Sequence, residues 1–312
     1  MAEVTLVTGA QGFIGMHLCG ALAEHGNAVV GIARGTKESR ALAGARLIPL
    51  DLRNADAIQH LIDELRPAKV FNLAAVGVNA PASVAEYVDV NVRLPVLLYE
   101  ALPESSLLIQ VGSVAQYKAG PLTLSEGADL NSNSLYGWSK NSAELLLEQL
   151  ERRASTSMRQ LVRVRLFGVT GPGESPRRLL PTIVNGVRCK QAIPLSDGHQ
   201  VRDMLHVDDA VRALIHVANT PALVGRAVNV GRGEGRTVRS VAQRAIEHLG
   251  GDSAQLRFGA IARRPDDADV LVADSRILSA SGWTPTLSYD ETIDIAVSQI
   301  AARLESASSP DR

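Results

Sequence analysis

The 312-residue chain is 46% hydrophobic and 21% charged, with a net charge of −1, enough apolar material for one large domain or a large domain with a smaller partner. Charges of both signs are scattered, which argues against a nucleic-acid or membrane-surface footprint, and no apolar run approaches the ~20 residues of a membrane span. Cys19 and Cys189 stand apart from each other and from any histidine cluster, so neither a disulfide scaffold nor a metal site is supported; with no leader-like N-terminus, the expected compartment is the cytoplasm.

Short β-branched runs alternate with amphipathic stretches of helical length. A strand over Val4–Val7 leads to a helix over Phe13–His25, then a strand over Ala28–Ala33 and another over Arg46–Leu50. A helix over Ala55–Leu65, a strand over Lys69–Leu73 and a long helix over Ser83–Leu102, kinked at Pro95, come next. Strand Leu107–Val111, helix Tyr136–Glu151 and strand Leu161–Phe167 complete the alternation. The strands are nearly all apolar, as strands covered on both faces must be. The class is therefore α/β, a Rossmann-type doubly wound parallel sheet. Beyond Gly168 the rhythm changes, with a turn cluster at Gly171–Pro176 and a helical stretch at Arg178–Val187. A helix over Val207–Ala218 and a strand over Ala227–Val230 return to the main layer. Thr237–Leu249, Leu256–Ile261 and Tyr289–Leu304 read as a smaller appended region. The expected division is residues 1–167 and 199–232 as the dinucleotide-binding domain and 168–198 and 233–305 as a discontinuous C-terminal substrate-binding region. Residues 306–312 read as a disordered tail.

The first strand runs into Thr8-Gly9-Ala10-Gln11-Gly12-Phe13-Ile14-Gly15. Gly9 suits a tight turn, Gly12 a backbone approach to a pyrophosphate, and Gly15 close helix–strand packing. The following helix N-terminus, at Phe13 and Ile14, offers N–H groups to phosphate. A purely structural strand-to-helix turn is the alternative. After the second strand, where an acid would bind a ribose 2′-hydroxyl, this chain has Arg34 and, shortly beyond, Lys37. Arg34 suits a 2′-phosphate, so NADP is expected ahead of NAD; an arginine stacked on adenine would tolerate either. Asp51, beside Leu52 at the end of strand three, is placed to meet the adenine, or else to cap the next helix near Asn54.

Tyr136 and Lys140 lie one helical turn apart on one face. A phenol near pKa ~10 is a poor acid/base at neutral pH, and a nearby ammonium is expected to bring it into range. Strand Leu107–Val111 ends in Gly112-Ser113, and a hydroxyl at that end points into the crevice where doubly wound sheets bind ligands. Ser113 can there bond a substrate oxygen, or else cap a turn.

In order along the chain, the glycine loop, Asn72-Leu73-Ala74-Ala75, Asn91-Val92, Ser113, Tyr136-Gly137-Trp138-Ser139-Lys140, Gly171-Pro172-Gly173, Arg202–Asp209, Asn229-Val230-Gly231 and Arg264-Pro265 resemble the extended short-chain dehydrogenase/reductase family of nucleotide-sugar epimerases, dehydratases and reductases. The resemblance covers nearly the whole chain. It implies that Ser113, Tyr136 and Lys140 are the catalytic trio. Leu73, Ala74, Ala75 and Phe167 would line the cofactor, with Asn91 supporting the site, and Gly77, Tyr117 and Gly168 would border the substrate. Arg202 and Arg264 would clamp the sugar-nucleotide pyrophosphate; pairing with neighbouring acids, Asp203 or Asp266 and Asp267, is the alternative. Within the family, the nearest likeness is to GDP-4-keto-6-deoxy-mannose reductases. In two places the chain departs from the family pattern: Gly168 replaces a frequent asparagine, and Lys118 a glycine.

The resemblance also bears on the reaction. Family dehydratases carry an acidic pair after the active-site hydroxyl residue, whereas Val114 and Ala115 stand here, so a 4,6-dehydratase is disfavoured. Reduction of a 4-keto (6-deoxy) nucleotide sugar is the expected activity. The alternatives are a nucleotide-sugar epimerase with retained NAD, a reductase of a non-nucleotide ketone, and a catalytically lapsed NADP-binding regulator. Leucines on more than one face of the helices over Ser83–Leu102 and Tyr136–Glu151 suggest a homodimer, an association common in the family.

Overall fold

The computed structural model describes residues 3–33, 44–78, 80–118, 120, 123–153, 160–264 and 267–308. In chain order, the first part comprises β1 (Val4–Thr8), α1 (Phe13–Glu24), β2 (Ala28–Ala33), β3 (Ala45–Pro49), α2 (Ala55–Leu65), β4 (Lys69–Asn72), α3 (Val84–Tyr87), a π-helical segment (Val88–Arg93), α4 (Leu94–Ala101), β5 (Leu107–Ser113), α5 (Leu135–Arg153) and β6 (Gln160–Leu166). Then come β7 (Gly168–Thr170), α6 (Leu179–Arg188), β8 (Ile193–Leu195), β9 (Val201–Arg202), β10 (Met204–His206), α7 (Val207–Ala218), β11 (Ala227–Val230), β12 (Arg236–Thr237), α8 (Val238–His248), β13 (Leu256–Phe258), β14 (Val270–Leu271), α9 (Arg276–Ala280) and α10 (Tyr289–Ser308).

Seven parallel strands form the central sheet in the order β11-β6-β5-β4-β1-β2-β3. The order reverses beside β1, which opens a crevice at the carboxyl ends of β1 and β4, the ligand position of such sheets. One face buries Leu18, Cys19 and Leu22 of α1 with Val211, Leu214 and Val217 of α7. The opposite face buries Ile58 and Ile62 of α2, Leu98 of α4 and Leu147 of α5. A third core joins Leu180, Ile183 and Val184 of α6 to Val241 and Ile246 of α8 and Ile293, Val297 and Ile300 of α10.

Local chemistry sets the helix ends. Asn54 caps α2 by accepting from Ala57 N at 3.1 Å, and Ser83 and Glu86 form a capping box on α3. The stretch over Ser83–Leu102 is helical without a break from Val84 to Ala101, and its irregularity is the π segment just before Pro95, where Leu94 N reaches back to Asp89 O. A proline ring crowds the carbonyl four residues before it, and the widened turn gives it room. α10 runs to Ser308, and residues 309–312 of the expected tail lie outside the described residues. The last turns of α10 are tied down by packing of Leu304 on the third core and by Arg188 Nη1, which donates to Leu304 O at 3.4 Å.

Candidate active site

β1 leads through Gly9 into α1. Gly9 has φ of +67°, and a β-carbon there would stand 2.8 Å from Ala74 N. A β-carbon on Gly15 would stand 2.1 Å from the Gly9 carbonyl oxygen, so loop and helix meet backbone to backbone. Gly12 is the N-cap of α1 and contributes no side-chain cap. The N–H groups of Phe13, Ile14 and Gly15 precede the first intrahelical bond, Met16 N to Gly12 O at 3.0 Å, and are disposed to take an anion.

A buried polar ladder holds the strand ends in line beside this loop. Thr8 Oγ1 donates to Asn72 Oδ1 at 2.5 Å, and Asn72 Nδ2 donates to Gln110 Oε1 at 2.7 Å. Ala74 N donates to Thr8 Oγ1 at 3.1 Å, which sets Leu73, Ala74 and Ala75 against the glycine loop. Asn91, in the π segment, grips the backbone of Val76: Oδ1 accepts from its N at 2.8 Å and Nδ2 donates to its O at 3.1 Å. The same amide donates to Ser139 Oγ of α5 at 2.9 Å, so Asn91 ties the loop after β4 to the helix that carries Tyr136. Arg34 and Lys37 lie outside the described residues. Asp51 folds onto Arg53, accepting from Nη2 at 2.7 Å, and Leu52 is buried in the α2 face of the core.

Ser113 ends β5, and its side chain lies near enough to the Tyr136 phenol of α5 to perturb its ionisation. Ser113 Oγ accepts from Ala115 N at 3.2 Å and caps a short 3₁₀ turn. Lys140 is buried and donates Nζ to Val111 O at 3.0 Å. Burial lowers its pKa to about 8. The phenol departs from expectation. Burial raises the Tyr136 pKa, opposed by the neighbouring Ser113 hydroxyl and the positive charge of Arg178, with Tyr87 adding to the rise. Loss of solvent around the phenol outweighs the stabilisation of its anion.

The remaining expected residues have varied surroundings. Gly77 O accepts from the Tyr87 hydroxyl at 2.7 Å. Tyr117 is buried; its hydroxyl donates to Asn229 Oδ1 at 2.6 Å and accepts from Arg165 Nη1 at 2.8 Å. Phe167 packs on the Tyr117 ring, with centroids 6.2 Å apart. Gly168 pairs with Met204 across β7 and β10. Arg202 Nη2 donates to Asp267 Oδ1 at 2.5 Å, an acid distant in the chain and not the neighbouring Asp203 of the alternative. Arg264 is exposed, and its carbonyl accepts from Asp267 N at 3.1 Å.

Sequence reasoning missed several residues. Arg178, at the start of α6, places its charge near Tyr136 and pairs with Glu174 at 3.1 Å. Buried Asp203 accepts from the backbone N–H groups of Arg232, Gly233 and Ala273, at 2.8, 2.9 and 3.1 Å, and so braces the loop after β11. Nothing local signalled either role. Gln116 and Glu144 hold the Ser113 turn, and one signal existed, since Glu144 extends the four-residue spacing of Tyr136 and Lys140. Among the described residues no cluster of potential metal ligands occurs, and no helix is long and apolar enough to cross a membrane.

The chain is 27% identical to CDP-abequose synthase of Salmonella typhimurium over 308 residues, covering 94% of this chain and 97% of that protein. It is 26% identical to dTDP-4-dehydro-6-deoxy-D-allose reductase of a Streptomyces species, covering 92% and 91%. Its fold matches the solved structure of MoeE5 in complex with UDP-glucose and NAD at a TM-score of 0.85 and 28% identity, over 97% of this chain and 100% of that one. The sequence model of the NAD dependent epimerase/dehydratase family matches residues 5–231, which is most of the chain and takes in the glycine loop, Ser113, Tyr136 and Lys140: the protein belongs to that family.

Proposed function

We propose that the protein reduces a 4-keto (6-deoxy) sugar carried on a nucleoside diphosphate, with NADP preferred as cofactor. The observation that carries this reading is the convergence of the Ser113 side chain on the Tyr136 phenol, one helical turn from buried Lys140. The Gly9 and Gly15 contacts and the uncapped start of α1 fit a dinucleotide pyrophosphate. Phe13, Ile14 and Gly15 would hold its phosphates, with Leu73, Ala74 and Ala75 alongside. When bound, the nicotinamide supplies hydride to the carbonyl carbon.

The chain's own groups supply the proton. Tyr136 keeps its proton at neutral pH because burial raises its pKa, which is the form a general acid needs. Its hydroxyl hydrogen passes to the substrate oxygen as negative charge develops there, while the Ser113 hydroxyl stabilises that oxygen. Lys140, one helical turn from Tyr136, is anchored on Val111 O. Val114 and Ala115, which form the turn after Ser113, offer no group to eliminate water. The Streptomyces relative, a dTDP-4-dehydro-6-deoxy-D-allose reductase, supports the same reading. The NAD held by MoeE5 favours a second reading, an epimerase with retained NAD.

A thermal-shift panel of nucleotide sugars with NADPH identifies the ligand, since one at ~100 times its dissociation constant stabilises by ~2.7 kcal/mol. On that ligand, Tyr136→Phe lowers turnover at least ~100-fold with cofactor affinity nearly unchanged. Near-normal turnover in that variant removes the assignment.

The active form is proposed to be a homodimer. Among the described residues, Val84, Val88, Leu135, Trp138, Leu145 and Leu146 are exposed large hydrophobics on α3, the π segment and α5. These elements pack side by side. Exposed apolar side chains on adjacent helical elements suit a second copy of the same surface across a two-fold axis.

A further inference from the structure

Gln116 is fully buried and bonded at both ends of its amide. Its Oε1 accepts from Ser113 N at 2.8 Å, and its Nε2 donates to Glu144 Oε2 at 2.6 Å. Glu144 is gripped in turn by Arg165, whose Nη2 donates to Oε1 at 2.5 Å and whose Nε donates to Oε2 at 3.2 Å. The other end of Arg165 is fixed as well, since Nη1 donates to the Tyr117 hydroxyl and to Glu126 O, both at 2.8 Å. Asn141 Nδ2 closes the turn from above by donating to Gln116 O at 2.9 Å.

Chemistry makes this arrangement directional. A carboxylate only accepts, so an amide between Glu144 and a backbone N–H has one productive orientation: NH₂ toward Glu144 and oxygen toward Ser113. Reversed, it would set donor against donor and oxygen against carboxylate. The amide also lies flat on the strand, where a β-carbon on Gly112 would fall 2.0 Å from Gln116 Oε1. Tyr136, Lys140 and Glu144 recur every four residues and share one stripe of α5. One rigid helix thus carries the acid/base pair and also the anchor of the strand end that bears Ser113. A buried ion pair is a weak stabiliser when set against well-packed apolar residues, so stability alone does not account for this one.

We propose that Glu144 and Arg165 are positioning residues which act through Gln116 to hold Ser113 in register with Tyr136. The proposal rests on the reading of the site as a ketone-reducing centre. Its test has one arm that is independent of that reading.

Gln116→Met removes both polar ends and leaves the Glu144–Arg165 pair intact. In the folded variant, kcat falls about 10- to 100-fold, while KM values stay within about twofold. Amide hydrogen exchange across residues 112–117 accelerates by roughly tenfold or more. Gln116→Glu is the conservative partner. At low pH the introduced carboxyl group is protonated, can donate to Glu144, and supports activity near wild type. As pH rises it ionises against Glu144 and activity falls, a descending limb absent from wild type. Unchanged kcat in Gln116→Met, or a Gln116→Glu profile parallel to wild type, overturns the proposal. If wild type turns over no nucleotide sugar, the reaction reading fails, and the exchange measurement alone decides the positioning: acceleration supports it and unchanged exchange overturns it. If Gln116→Met does not fold, the Gln116→Glu pH profile decides in the same way.

Discussion

Gly168 lies so close to Asp203 that a β-carbon on the glycine would stand 2.4 Å from the aspartate's carbonyl oxygen. Pairing of β7 with β10, which aligns Gly168 with Met204, brings the two backbones together. The departure from the family's frequent asparagine therefore has a steric basis in this chain, because the backbone leaves no room for a side chain. Gly168→Asn should destabilise the protein by about 1–3 kcal/mol, as overpacking does, and should not tighten nucleotide-sugar binding. Calorimetry with ligand titration tests both points, and an unchanged Tm would mean that the two strands can separate at no cost.

Lys140 links stability to pH. Burial lowers its pKa from 10.5 to about 8. Below pH 8 both folded and unfolded chains hold the proton, and the folded state bears the full cost of a buried ammonium. Between 8 and 10.5 the unfolded lysine still holds its proton while the folded one has released it, so this contribution to stability rises with pH. Lys140→Met has no such term. The stability of wild type relative to that variant should increase by roughly 3 kcal/mol between pH 7 and 10.5. Chemical denaturation of both proteins at the two pH values measures it. A constant difference would show that the amine reaches solvent.

Leu145 and Leu146 are 53% and 47% exposed on α5, whereas Leu147 beside them is fully buried. The leucine run therefore serves two faces, one against the sheet and one outward. Light scattering at micromolar concentration should find a dimer for wild type and a monomer for Leu145→Glu combined with Leu146→Glu. The monomeric variant should keep its fold, because the outward face contributes nothing to the core. A monomeric wild type would leave the apolar face without its proposed partner.

The proposed preference for NADP rests on Arg34. A charge-assisted hydrogen bond to a 2′-phosphate is typically worth ~1.5–3 kcal/mol, or roughly ten- to hundredfold in affinity. Wild type should bind NADPH more tightly than NADH, and Arg34→Ala should lose most of that preference with little change for NADH. The preference should shrink as salt rises. Fluorescence titration of both cofactors decides it. Equal affinities in wild type would move the epimerase reading, with its retained NAD, ahead of the reductase.

What the sequence determined by itself was local. Alternating apolar runs specify a covered parallel sheet because side-chain burial follows the period of each element. Gly9 and Gly15 were legible because a strand that turns at once into a helix brings backbone against backbone, which only glycine permits. Tyr136 and Lys140 share a helix face whatever the rest of the chain does. The tertiary structure alone decided which distant groups meet. Gln116 reaches Glu144 across 28 residues, Arg202 reaches Asp267 across 65, and Tyr117 reaches Asn229 across 112. No spacing rule encodes those pairs, because they depend on strand register and on which helix covers which face. The direction of the Tyr136 shift was undecidable for the same reason: solvent loss and neighbouring charge act in opposition, and their balance exists only once the chain has closed around the phenol.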